Sequence, residues 1–123
     1  MFHIHIGYDS PNIDSSMALI KYLDMYLGIP SVLYDKDTKR RSLYGQAGCF
    51  RLTSYGCEYR VLSSAMMKDT STLNFVWDQL EKAISAYYSR GPLIRSDYAV
   101  NVINNSDVEL AKKVINSFNI CAV

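Results

Sequence analysis

The string "GCFRLTSYGCEYRVLSS", residues 48–64, constrains the fold more than any other stretch. Two short runs of β-branched, aromatic and thiol-bearing residues flank Thr53–Gly56, which predicts a β-hairpin: Cys49–Leu52, a turn, then Cys57–Leu62. Side chains alternate between the faces of a strand. Phe50 and Leu52 therefore share one face, with Cys49 and Arg51 on the other. In the second strand Tyr59 and Val61 oppose Glu58, Arg60 and Leu62. One face of the hairpin thus gathers Arg51, Glu58 and Arg60. The same alternation opens the chain in "MFHIHIGYDSPN": Phe2, Ile4 and Ile6 point to a core, and His3 and His5 share the opposite face. A few strands in the first half of the chain are the expectation.

Helical spacing accounts for most of the rest. Met17, Ile20, Leu23 and Leu27 predict a helix over 13–27, capped by Asn12 or Asp14 and ended by Gly28 and Pro30. "SVLYDKDTKRRSLYGQAG" predicts a short apolar stretch and then a polar loop. Leu73, Val76, Trp77, Leu80, Ile84 and Tyr87 form a stripe of period 3.6, entered through Thr70, Ser71 or Thr72 and ended by Gly91 and Pro92. A short helix follows in "RSDYAVNVINN", with Tyr98, Ala99 and Val102 inward. Ser106 with Glu109 forms a capping box for a last helix, whose inner stripe is Leu110, Ala111, Val114, Ile115 and Phe118. The class is α+β, with residues 1–123 as one domain.

Composition then excludes several function classes. A formal net charge of +1 leaves no electrostatic footprint for nucleic acid, and Lys39, Arg40 and Arg41 are too short a run to make one. No apolar run approaches the roughly 20 residues of a membrane span, and the N-terminus has no signal-peptide pattern. Three cysteines, an odd count without CxxC spacing, fit free thiols in a reducing compartment, so a cytoplasmic location is expected. Ten tyrosines suit half-buried walls and interfaces, although ordinary core and rim packing is the commoner use of the residue.

The residues able to carry chemistry are His3, His5, Arg51, Glu58 and Arg60. Imidazole and carboxylate together suit divalent cations, with Mg²⁺ or Mn²⁺ favoured where phosphate is also bound. A guanidinium fork binds phosphate or carboxylate through two parallel hydrogen bonds. The same residues also make a plain surface ion-pair network, worth under about 1 kcal/mol per exposed pair. Spacing by itself selects neither. There is no Gly-rich phosphate loop, nucleophile elbow or zinc-knuckle spacing.

"HIHIGY" (3–8), "LYGQAGCFR" (43–51) and "YGCEYRVLSS" (55–64) resemble the phage-encoded carboxylate–amine ligases, amidoligases distantly similar to glutamine synthetase and glutamate–cysteine ligase. The likeness extends through "NFVWDQL" and "INNSDVELAKKVIN". It implies that the N-terminal strand and the hairpin join in one small antiparallel sheet, like half of a glutamine synthetase-like catalytic domain, with the His–x–His strand on its active-site face. It implies that His3 and Glu58 are Mg²⁺ ligands and that His5 lies near the ATP phosphates. By the same likeness Arg51 and Arg60 bind phosphate and act catalytically on the phosphoryl group. The implied chemistry activates a carboxylate with ATP as an acyl phosphate, which an amine attacks.

The departures bear on activity. Met1 and Phe2 stand where relatives carry two glycines, and Ser64, Ala65 and Met66 replace an Asn–Phe–Trp-like string. The family's N-terminal half, with its own strands and acidic metal ligands, has no counterpart in residues 1–123. The leading expectation is the C-terminal module of an ATP-dependent ligase, inactive by itself and active only with a partner that supplies the missing half. A second is a catalytically dead phage or prophage remnant, in the host cytoplasm, that binds or inhibits a host defence or other host protein. Such a remnant needs no cofactor, and its contact is through self-association or a host target along the strand edge. A third is an unrelated α+β binding protein.

Overall fold

In the computed structural model, which describes residues 2–35, 37–43 and 45–121, β1 (Ile4–Gly7) leads into a long helical arm. The arm is α1 (Ile13–Leu23), a π-helical turn (Asp24–Gly28) and α2 (Ile29–Ser31). A short α3 (Thr38–Leu43) precedes the hairpin of β2 (Phe50–Leu52) and β3 (Gly56–Tyr59). After a 3₁₀ turn (Ser64–Met67) come α4 (Thr70–Ser89), α5 (Ser96–Asn104) and α6 (Val108–Phe118). Met1, Lys36 and Tyr44, which fall in the strings quoted above, lie outside the described residues.

The expected α+β architecture is present. β3 is the central strand, antiparallel to both neighbours, in the order β1–β3–β2. The register sets two rows across the sheet. Ile4, Tyr59 and Phe50 align in one, and His5, Glu58 and Arg51 in the other. The first row points to the core, where Ile4 and Tyr59 are buried in one cluster with Leu19, Leu23, Leu27 and Ile103. The second row points away from it. At the end of β1, Gly7 pairs with Gly56, where an added Cβ would stand 1.9 Å from the Ile6 carbonyl oxygen. Only glycine permits that approach.

Several local expectations give way to tertiary demands. The first helix does not stop at Gly28, whose φ of −60° is helical. Asn12 caps it through Ser15 N–H, and the chain widens into one π turn, so that Pro30 falls in the first turn of the next helical segment and loses nothing there. Gly28 is needed for packing: a Cβ would meet Ile103 Cδ1 at 2.7 Å and Tyr59 Oη at 2.8 Å. The polar loop expected after the short apolar stretch holds α3, and its arginines are core residues. Arg40 donates to the Val61 and Leu62 carbonyls, Arg41 to those of Gly45 and Val61 and to Ser31 Oγ, and both approach Asp35.

Caps also shift by a residue or two. Asp69, not Thr70–Thr72, caps α4 by accepting from Thr72 N–H and Oγ1. Arg90 takes the left-handed position that ends it, ahead of Gly91. Asp107 caps α6 by accepting from Leu110 N–H, leaving Ser106 outside the helix with φ of 49°. Met17, Leu73, Trp77, Tyr98 and Phe118, expected to face inward, are exposed. Ser16, Thr72 and Gln79 are buried instead, each satisfied by a hydrogen bond. No helix among the described residues is long and apolar enough to cross a membrane.

Candidate functional site

The five residues singled out in the sequence lie on the face of the sheet opposite the core. Glu58, at the centre of β3, is their hub. Its Oε2 accepts from Arg51 Nη2 at 2.6 Å and from Arg51 Nε at 3.0 Å. Its Oε1 lies 2.5 Å from His3 Nδ1 and 3.9 Å from Arg60 Nε. The register explains the geometry: Arg51 is the cross-strand partner of Glu58, and His3 and Arg60 lie just beyond the paired segments of β1 and β3. His5 is the other cross-strand partner of Glu58, yet its Nδ1 turns to the hydroxyl of Tyr55 at 2.5 Å.

Exposure differs sharply within this group. Glu58 is 3% exposed, roofed by its own partners. The Arg51 side chain is 62% exposed and that of Arg60 37%. Removal from water pushes the Glu58 carboxyl up, but the Arg51 hydrogen bonds, the Arg51 charge and the two histidines outweigh this. Its pKa ends below the ordinary 4.5. Glu58 is therefore an anion at neutral pH, and its two oxygens receive hydrogens without giving any.

Three further contributors carry no sign of their role in the sequence. Tyr55 reads as a turn residue, but the Gly7–Gly56 pairing brings it opposite the end of β1, where its carbonyl also accepts from Tyr8 N–H at 2.9 Å. Its spacing from Glu58, three residues into the turn, carried no signal that it would meet His5. Arg40 and Arg41 clamp the Val61 and Leu62 carbonyls immediately after Arg60, and so fix the chain that carries it.

What the face can bind follows from these donors. Two guanidinium groups with open solvent-facing surface, beside an exposed imidazole, suit an anion with several oxygens such as a polyphosphate. For a divalent cation the fit is partial. No group of three or more His, Cys, Asp or Glu among the described residues could hold a metal ion. His3 and Glu58 give at most two donors, and both Glu58 oxygens already have partners.

On the reverse of β3 the same strand is anchored through Asp24, in the π turn. It accepts from Tyr59 Oη at 2.7 Å, and a small cavity of about 170 Å³ between α1, β2 and α5 opens beside it. Burial raises the Asp24 carboxyl to about 6, against the lowering effects of Tyr59, the Gly48 N–H and Arg41. The three cysteines are free, as expected.

The family model described as "Phage phiEco32-like COOH.NH2 ligase-type 2" matches residues 2–91. The matched span holds β1, the hairpin, the whole histidine–arginine–glutamate face and α4. It stops ahead of α5 and α6, so "INNSDVELAKKVIN" lies beyond it. No curated protein and no solved structure matches the chain.

Proposed function

The chain belongs to the phage phiEco32-like COOH–NH2 ligase type 2 family, and from that premise we propose that its sheet face is the phosphate-binding part of an ATP-dependent carboxylate–amine ligase site. The observation that carries this reading is the convergence of His3, His5, Arg51, Glu58 and Arg60 on one face. ATP, when bound, supplies the phosphoryl group that activates the carboxylate. Arg51 and Arg60 neutralise the charge that develops on phosphoryl oxygens, which is where transition-state stabilisation is largest in such transfers. His5 stands beside the phosphates. His3 offers a nitrogen to Mg²⁺, with Glu58 beside it.

The remaining metal ligands come from outside the described residues, either from an upstream segment or from a second polypeptide. Two features favour this. The metal shell is incomplete among the described residues. In addition, β1 pairs with β3 on one side, and no described strand pairs with its other edge, which leaves room for further strands of the same sheet. On this reading the chain is a C-terminal ligase module, inactive by itself, working in a reducing cytoplasm.

Calorimetric titration with ATP and Mg²⁺ tests the reading. Binding that is lost in His3→Ala and in Arg60→Ala supports it. Silence at millimolar nucleotide, in the chain alone and with its upstream or partner half supplied, overturns it. That result would favour the remnant that binds a host protein, which self-association or pull-down from host lysate would then address.

A further inference from the structure

His3 and His5 share a strand face, yet the chemistry of their partners separates them. His3 Nδ1 stands 2.5 Å from Glu58 Oε1. A carboxylate can only accept, so Nδ1 carries hydrogen and donates. In the neutral ring Nε2 is then a lone pair. His5 Nδ1 stands 2.5 Å from the Tyr55 hydroxyl, with the two rings tilted by 34°. A phenol is a much stronger acid than a neutral imidazole N–H, and an imidazole nitrogen is a much stronger base than a phenol oxygen. The hydroxyl therefore donates, Nδ1 accepts, and the ring hydrogen moves to Nε2.

We propose that Tyr55 is a positioning residue that fixes His5 as an Nε2–H donor for an anionic oxygen, while Glu58 holds the neighbouring His3 in the opposite tautomer. Two identical side chains on one strand thereby carry their ring hydrogens on different nitrogens. The hydrogen bond held on one ring nitrogen determines what the other can do. The assignment of the anionic oxygen to a phosphate rests on the ligase reading above; the assignment of the tautomers does not.

The test is nitrogen-15 NMR of the ring nitrogens in the chain as it stands, at pH 8, above the usual imidazole range near about 6.5. The chain has two histidines, so two ring patterns are to be assigned. Expected are an Nδ1–H ring for His3 and an Nε2–H ring for His5. Tyr55 is 46% exposed in the turn, so Tyr55→Phe removes the hydroxyl without opening the core. That change should lower the Nε2–H to Nδ1–H ratio of His5 by about three- to tenfold, the scale of one net hydrogen bond, and leave His3 as it was. A His5 ring that carries its hydrogen on Nδ1, or a ratio indifferent to Tyr55→Phe, overturns the proposal. The nucleotide titration separates the two ideas. Expected tautomers without nucleotide binding would sink the ligase reading and keep the role of Tyr55; binding with the opposite His5 tautomer would do the reverse.

Discussion

Tyr59 Oη donates a 2.7 Å hydrogen bond to Asp24 Oδ1 from the core side of β3, one residue along from Glu58 on its open side. The central strand is thus held from behind by a buried acid in the π turn and presents its other acid in front. Such π turns recur where a helix is bent to serve a local demand. Here the turn brings Asp24 under Tyr59, and Gly28 allows the Tyr59 ring to lie against the helix.

Asp24 makes the fold more stable in mild acid. Its carboxyl is raised from 3.8 to about 6, chiefly by burial, so the ionised form is disfavoured in the folded state. Above about 6 the full penalty is present. As pH falls toward 4 the folded chain takes up a proton that the unfolded chain does not, and stability rises by about 3 kcal/mol from this group. Asp24→Asn keeps an acceptor for Tyr59 and removes the charge. Urea denaturation at pH 7 and pH 4.5 should show the wild type gaining on the variant in acid; parallel curves would contradict the assignment.

Arg41 is a structural cation despite standing in the sequence like a surface residue. It is 1% exposed, and its guanidinium serves the Gly45 and Val61 carbonyls and Ser31 Oγ beside Asp35. Arg41→Leu leaves those acceptors and part of the Asp35 charge unpaired. A loss of about 3–5 kcal/mol is expected. Arg40→Leu should also destabilise, through the Val61 and Leu62 carbonyls. Chemical denaturation midpoints measure both.

These two residues mark the limit of what the sequence could tell. Period-two alternation was enough to group His3 with His5 in residues 2–6, and Arg51 with Glu58 and Arg60 in residues 49–62, because a pleated strand admits only two directions; that the two groups share one face depends on the pairing of β1 with β3, which alternation does not reveal. The α1, α4 and α6 stripes were legible for the same reason, with period 3.6 in place of two. Arg40 and Arg41 were not, because a charged residue reads as solvated until the carbonyls it serves are known, and these come from residues about 20 positions away. Gly28 read as a helix stop by local propensity. Tertiary contact with Tyr59 and Ile103 overrode that signal. Tyr55 was hidden likewise, since only the strand register brings it to His5.

Gly28→Ala should therefore destabilise although alanine is the better helix former. Its Cβ would sit 2.7 Å from Ile103 Cδ1 and 2.8 Å from Tyr59 Oη, in a part of the core with no exposed side to yield. Overpacking of this kind costs about 1–3 kcal/mol, more than the propensity gain of roughly 1 kcal/mol. Thermal melts decide the sign. An Ala variant as stable as the parent would mean that the helix can slide away from β3.

Arg51 and Arg60 should differ in how firmly they hold Glu58. Arg51 makes two hydrogen bonds to one carboxylate oxygen, whereas Arg60 stands at 3.9 Å, an ion pair without a hydrogen bond. The depressed Glu58 carboxyl stabilises the fold above about 4.5, and that contribution is lost as pH falls through the lower folded-state value. Arg51→Ala should move the Glu58 titration up toward 4.5 more than Arg60→Ala does, as carbon-13 NMR of the side-chain carboxyl would record. Salt should reduce the Arg51 effect, since that side chain is 62% exposed and its charge is screened. Arg60, the less committed of the two, is then the guanidinium that can turn to an incoming anion with least loss to the cluster. Accordingly Arg60→Ala should leave the melting temperature nearly unchanged while weakening nucleotide binding, and Arg51→Ala should lower both.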